Sequence, residues 1–320
     1  MNAHRYRMQL VSDRLKHGVW VFVRAVLVIG LSFVILHPIL QKLAETFKDP
    51  ADLYNPNIVW IPVHVTLANV KVVWNVLDYG RTTLNTALLS GCVMVAQTAV
   101  CALAGYAFAR LRFRGSEFLF VCAVFTILVP PQTIMVPLYM QFKSFDIFNL
   151  VTLLTGRDGI PLINTYWPLV LSSLTGMGVK SGLFIYIFRQ FFRGLPKELE
   201  EAAFVDGAGV VRTFVRIALP NAVPALVTVM LFTFVWQWND TFFSGMYMGE
   251  TGLLSNKMAM LDPYLKKLLT GDANLLGVDP FHLSLLKDVA VLFMMLPLIV
   301  LYLFVQNYFV ESVERTGLIG

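Results

Sequence analysis

The stretch Pro196–Pro220, PKELEEAAFVDGAGVVRTFVRIALP, is a polar, charged segment between two long apolar runs. Pro196 suits the first position of a helix, where a missing N–H costs nothing. Glu198, Glu200 and Glu201 crowd the first turns, where the helix dipole favours negative charge. Leu199, Ala202 and Ala203 then fall on one face at i, i+3 and i+4, and the small alanines allow close approach of another surface. Gly207 follows Asp206 and is placed to end the helix in a left-handed conformation. A second short helix presents Val210, Phe214 and Ile217 at helical spacing, and Pro220 marks entry into the next apolar run. Two readings of this helix–turn–helix remain open from periodicity alone. It is an amphipathic hairpin lying on a membrane surface, or a docking element for a soluble partner. The acidic first helix weighs against the former, because cytoplasmic leaflets are anionic.

The runs on either side decide the class. The chain has 320 residues, of which 57% are hydrophobic and only 14% charged, and its mean hydropathy is +0.67. A soluble domain carries roughly 25% charged residues, so this chain has too much apolar surface for a water-facing globule. A membrane-spanning helix needs about 20 mostly apolar residues, and six segments qualify. They run from about 19 to 40, 83 to 109, 118 to 140, 168 to 192, 222 to 246 and 289 to 309. The first is longer than the apolar core of a signal peptide and ends at His37–Pro38 without a small-residue cleavage pattern, so it reads as a retained helix. The expected organisation is a cytoplasmic N-terminal segment, 1–18, followed by a transmembrane domain, 19–320.

Six crossings put both termini on one side, and the basic residues say which. Arg5, Arg7, Arg14 and Lys16 precede the first span. Arg110, Arg112 and Arg114 follow the second, and Arg189, Arg193, Lys197, Arg212 and Arg216 surround the Pro196–Pro220 loop. Positive charge in short loops marks the cytoplasmic face, so both termini and this loop are expected there. The outward segments are 41–81, 142–167 and 247–287, the last broken at Gly271–Asp272.

The net charge of +5 forms no basic stripe with interleaved aromatics, which argues against nucleic acid as a partner. Cys92, Cys101 and Cys122 are scattered in apolar runs, with neither disulfide nor metal-ligand spacing. The nearest approach to a phosphate-binding loop, Gly176-Met-Gly-Val-Lys180-Ser181, has Val179 before the lysine, so the chain is not expected to bind ATP itself. No protease, hydrolase or paired-carboxylate motif points to an enzyme, and no resident cofactor or metal is expected.

Glu201-Ala202-Ala203, Asp206-Gly207-Ala208 and Ile217-Ala218-Leu219-Pro220 stand at fixed offsets between two spans. In this the chain resembles the permease subunits of binding-protein-dependent ATP-binding-cassette importers, whose cytoplasmic loop carries these three linked motifs. Further segments resemble the sugar and oligosaccharide type, similar to the maltose-transporter permeases. They are Tyr106-Ala-Phe-Ala-Arg110 with Phe113 and Gly115, Val129-Pro130 with Pro137-Leu138, Phe188-Arg189-Gln190-Phe191-Phe192, Trp238-Asn239-Asp240, and the tail from Gln306-Asn307-Tyr308-Phe309-Val310. The resemblance covers about residues 80–320. It departs where the tail ends Leu318-Ile319-Gly320 without the family's penultimate lysine, and where the last outward loop is longer than usual.

The resemblance implies that the first helix of the loop docks on a separate, dimeric ATPase, with the coupling role falling on Glu198, Glu201, Ala202, Ala203, Asp206, Gly207, Ala208 and Phe214. It also implies a second related permease, a solute-binding protein outside the bacterial inner membrane, and ATP and magnesium bound by the ATPase subunits. A permease for a non-sugar solute and an ion-driven secondary transporter are the alternatives. The latter predicts paired repeats and intramembrane acids, and no internal repeat is evident.

Candidates for the substrate pathway are Lys180, Trp236, Trp238, Asn239 and Asp240. Lys180 falls inside the fourth span beside Gly176, Gly178 and Gly182. It lines a cavity, pairs with Asp240 or binds an acidic sugar, or else the helix begins near Gly182 and the lysine snorkels outward. Gly178 and Gly182 also form a close-packing pattern. Trp and Asn suit a sugar, the ring stacking on a pyranose and the amide pairing with hydroxyls. The competing reading is an interfacial aromatic belt. Asn85 and Gln97, polar residues of the second span, are expected to face other helices rather than lipid.

Overall fold

The structure is a computed structural model and describes residues 3–55, 61–147, 149–156, 158–249, 252–270 and 279–317. The Gly271–Asp272 break and the last three residues of the tail lie outside the described residues. Among the described residues the secondary structure is helical, with two isolated antiparallel bridges, Lys48 with Val65 and Phe145 with Ile160.

The helices are α1 (Ala3–Thr46), α2 (Ala68–Leu77), α3 (Tyr79–Arg110), α4 (Ser116–Phe125), α5 (Pro131–Lys143), α6 (Leu150–Thr155), α7 (Trp167–Leu174) and α8 (Ser181–Gly194). Then come α9 (Glu198–Val205), α10 (Val210–Thr213), α11 (Leu219–Asn221), α12 (Val223–Asn239), α13 (Phe242–Met248), α14 (Leu254–Ala259), α15 (Leu261–Thr270) and α16 (Pro280–Gly317). The basic N-terminal segment and the first expected span are one continuous helix, α1. By length and composition Leu15–Thr46, Tyr79–Arg110 and Pro280–Gln306 can each cross a membrane.

Three expected spans are not single helices, and each break has a local cause. The 118–140 segment stops at Phe125 and restarts at Pro131, where Pro130 is extended and Pro131 takes the first helical position, at which its missing N–H costs nothing. The 168–192 segment is interrupted from Thr175 to Lys180, with Gly176 at φ +73° and Lys180 at φ +63°. The 222–246 segment divides between α12 and α13, because the Asp240 carboxylate accepts from the Phe243 and Ser244 amides and so starts a new helix. Upstream, Val210–Asn221 meets Val223–Asn239 at an 80° bend.

The chain divides into two compact units, residues 1–73 with 265–293 and residues 74–264 with 294–320. In the first, Lys42 of α1 pairs with Asp288, and a polar clasp orders the segment after α1. Asp52, nearly buried, accepts from the Val63 and His64 amides at 2.9 and 2.8 Å and meets His64 Nδ1 at 2.7 Å. The most apolar window of Leu15–Thr46 buries none of its residues in this chain. A helix apolar all round needs lipid or another chain as its surroundings.

The second unit is built around α3. A Cβ on Gly105 would lie 2.4 Å from Phe188 Cβ, so α3 and α8 touch at the backbone. A Cβ on Gly182 would lie 2.2 Å from the Ala123 carbonyl, which brings α8 equally close to α4. Tyr106, Phe184, Phe188, Phe192, Phe214 and Val229 form one core, and Leu89, Val93, Phe142, Leu169, Tyr247 and Leu253 another. Arg189 of α8 fastens this unit further. It donates to the Phe108 carbonyl at 3.2 Å and to Glu117 at 2.5 Å, and its guanidinium sits 3.8 Å from the Phe120 ring centre.

Candidate functional site

The Pro196–Pro220 loop folds as two helical pieces joined by a tight turn. Three glutamates open α9. Its end is a left-handed glycine cap: the Gly207 amide donates to Phe204 O at 3.0 Å, and the Ala208 amide donates to Ala203 O at 2.9 Å. Gly207 takes φ +80°, a conformation that costs glycine nothing. After α10, Phe214–Ala218 forms a π-turn, with the Leu219 amide donating to Phe214 O. The π-helix occurs mostly as single-turn bulges inside α-helices, frequently at functional sites. This one drives Phe214 into the core against Tyr106 and Phe192, at ring-centre distances of 4.9 and 6.2 Å.

The eight coupling candidates do not share one surface. Glu198, Glu201, Ala202, Asp206 and Gly207 are exposed, Ala208 is half-buried, and Ala203 and Phe214 are buried. The face expected from Leu199, Ala202 and Ala203 is therefore split. Leu199 and Ala202 point outward, while Ala203 turns inward with Glu200. The outward stripe is Glu198, Glu201, Ala202 and Val205, at i, i+3, i+4 and i+7. Val205 is 87% exposed, so the C-terminal end of the stripe is bare.

The inward face of α9 carries residues that the sequence reading passed over. Arg110 Nε and Glu200 Oε1 form a buried ion pair at 2.9 Å. Tyr106 Oη donates to Glu200 Oε2 at 3.4 Å, and Arg110 Nη2 donates to the Leu195 carbonyl at 2.6 Å. In the sequence Glu200 reads as an acid suited to the helix dipole, and Arg110 as a cytoplasmic charge and the last residue of a segment resembling sugar-type permeases; neither reading pairs the two. The available signal was the pairing of an acid one residue before Glu201 with a basic residue that closes a span.

The pathway candidates are dispersed. Trp238 is fully buried, with Nε1 donating to Met294 O at 3.2 Å, so its ring has no free face for a pyranose. Trp236 is half-buried between Phe184 and Phe232, at ring-centre distances of 5.5 and 5.8 Å. Asn239 is exposed, but its amide donates to Val235 O in its own helix at 2.8 Å. Asp240 caps α13 rather than pairing with Lys180. Lys180 is exposed and sits immediately before α8, outside the body of any helix. Asn85 and Gln97 both face protein: Asn85 donates to Gly252 O at 3.1 Å, and Gln97 to Val179 O at 2.7 Å.

Residues 101–315 match the family model of the binding-protein-dependent transport system inner membrane component. The chain belongs to this family of transporter permease subunits. The permease is 28% identical over 292 residues to an osmoprotective compounds uptake permease protein of Synechocystis sp., covering 89% of this chain and 88% of the relative. It is also 28% identical over 265 residues to a melibiose/raffinose/stachyose import permease protein of Bacillus subtilis, covering 82% and 84%. Among solved structures the permease superposes on a chain of a bacterial ABC transporter involved in the import of the acidic polysaccharide alginate. The TM-score is 0.66 and the identity 21%, with 93% of this chain and 98% of the other covered. The shared fold extends well beyond the matched family segment, and members of the family are transport subunits rather than enzymes.

Proposed function

We propose that this permease is one half of the membrane pathway of an ATP-driven importer for carbohydrate, most specifically oligosaccharide. A second related permease completes the pathway. A dimeric ATPase, which binds the ATP and magnesium, docks on the cytoplasmic 196–220 loop. A solute-binding protein delivers sugar on the outer face of the bacterial inner membrane. The polypeptide crosses the membrane six times with both termini inside, three of the crossings being interrupted helices.

The observation that carries this reading is the outward stripe of α9, Glu198, Glu201, Ala202 and Val205, left uncovered on a helix whose other face is anchored. A short helix with small and acidic outward residues suits docking in a groove of a soluble subunit. Asp206, Gly207 and Ala208 fix where that helix ends, and Phe214 anchors the return. Carbohydrate is supported by the relative named for melibiose, raffinose and stachyose and by the alginate importer's fold. The osmoprotectant relative keeps a non-sugar solute as the second reading. Within the pathway, Lys180, Trp236, Asn239 and Asp240 remain positions to probe, Lys180 foremost because it is exposed at a helix break.

The test is to tag the chain in its native membrane, solubilise gently, and reconstitute what copurifies into vesicles. Uptake of labelled oligosaccharide that needs both ATP and the binding protein supports the reading. A chain that purifies without an ATPase yet still transports solute would overturn it.

A further inference from the structure

Docking alone does not couple an ATPase to a membrane pathway; the docked helix must also move something. The eight-residue α9 joins α8 through Leu195–Lys197 and joins α10 through Asp206–Gly209, a stretch with two glycines. Held only through those links, it would swivel when pushed.

The geometry points to Arg110 and Glu200 as positioning residues that make α9 rigid with the end of α3. Movement of the docked helix would then pass into the transmembrane bundle through α3. One guanidinium reaches both α9 and the link before it, meeting Glu200 at 2.9 Å and donating to Leu195 O at 2.6 Å. Both side chains are about nine-tenths buried, at 8% and 10% exposure, so water does not screen the pair. Tyr106, one turn back along α3, donates to the other carboxylate oxygen of Glu200, and its ring packs on Phe214.

From this junction α3 continues as an unbroken helix to Gln97, 13 residues away and about 20 Å along the axis. There the Gln97 amide holds Val179 O and Ser181 Oγ at the break between α7 and α8. A single rigid element thus contacts both the loop and the irregular backbone of the fourth span. Contiguity of this kind is a physical route, and coupling along it has to be measured.

The inference rests on the coupling role proposed for α9, so the experiment separates the two. In the full complex reconstituted in vesicles, ATP hydrolysis and solute uptake are measured together for Glu200→Gln. The substitution keeps shape and a hydrogen-bonding group for Tyr106 but removes the charge. The expected result is normal copurification of the ATPase, near-normal hydrolysis, and uptake per ATP lowered by about three- to thirtyfold. Unchanged uptake per ATP in an intact complex would overturn the proposal while leaving the docking role standing. If Glu200→Gln fails to assemble, the paired Arg110→Met/Glu200→Met decides, since it fills the site without charge. Assembly with lost coupling supports a positioning role. Assembly with normal coupling, or no assembly, overturns it. Failure of the docking reading itself shows separately, as an ATPase absent from the unaltered complex.

Discussion

Gln97 on α3 donates to the Val179 carbonyl at 2.7 Å and to Ser181 Oγ at 2.9 Å, so a side chain from one helix closes the break in another. A broken helix in an apolar setting leaves carbonyls unpaired, and neighbouring helices must supply the donors. Replacing Gln97 with Leu removes both bonds. It is expected to cost about 1–2 kcal/mol, read as an earlier thermal transition in detergent. Gln97→Glu presents an acceptor to a carbonyl and is expected to be worse. Equal melting of Gln97→Leu and the natural chain would show that the break is satisfied some other way.

Gly207 stands at φ +80° with no atom within 4 Å of the place where a Cβ would sit. The constraint is therefore conformational and not steric. Gly207→Val is expected to fray the end of α9 at a cost of about 1–2 kcal/mol, lowering recovery of the ATPase while the chain still inserts. Gly207→Asn, which tolerates the left-handed region, is expected to restore recovery. Full ATPase recovery with valine would count against the cap.

At Gly105 the opposite holds: a Cβ would overlap Phe188 Cβ at 2.4 Å and crowd the Arg189 amide at 3.0 Å. Gly105→Ala is expected to push α3 from α8 and cost about 1–3 kcal/mol. Gly91→Ala, with nothing within 4 Å, is expected to be neutral. Comparing the two by fluorescence-detected size exclusion after heating checks the contrast.

Asp52 and His64 make the segment after α1 sensitive to pH. Hydrogen bonds from His64 hold the Asp52 carboxyl below its ordinary 3.8, and the bond to Asp52 raises the His64 imidazole above its ordinary 6.5. A raised His contributes stability that is fully present below pH 6.5 and is lost as pH rises through its folded value. A depressed Asp contributes stability present above pH 3.8 and lost as pH falls through its folded value. The clasp is therefore tightest between those two ordinary values. Amide protection over residues 47–55 and 61–66, corrected for intrinsic exchange, is expected to be higher at pH 5.5 than at 8.5, and His64→Ala should abolish the difference.

Trp238 is a packing residue by its geometry, fully buried and bonded to Met294 O. Trp238→Phe is expected to lower thermal stability by about 1–2 kcal/mol and to leave the ranking of competing sugars in uptake assays unchanged. An altered ranking at unchanged stability would return the ring to the substrate pathway.

The amino-acid sequence by itself determined the class and the end of α9. Hydropathy is a property of consecutive residues, so the long apolar helices α1, α3 and α16 were readable without a fold. A helix cap is equally local, and Asp206-Gly207-Ala208 specified a left-handed turn before any neighbour was known. A window of 20 residues averages over the five-residue break before Pro131 and the six-residue break from Thr175 to Lys180, so hydropathy alone does not show either interruption.

Only the tertiary structure decided which side of α9 faces in. Leu199, Ala202 and Ala203 share helical spacing, but spacing does not say which neighbour is present. The partner that fixes the rotation, Arg110, lies 90 positions before Glu200 in the chain. The same holds for Trp238, whose indole suits a sugar or a core equally well until Met294 supplies its acceptor. Charge pairs and buried aromatics are settled by residues distant in sequence, where no local pattern reaches.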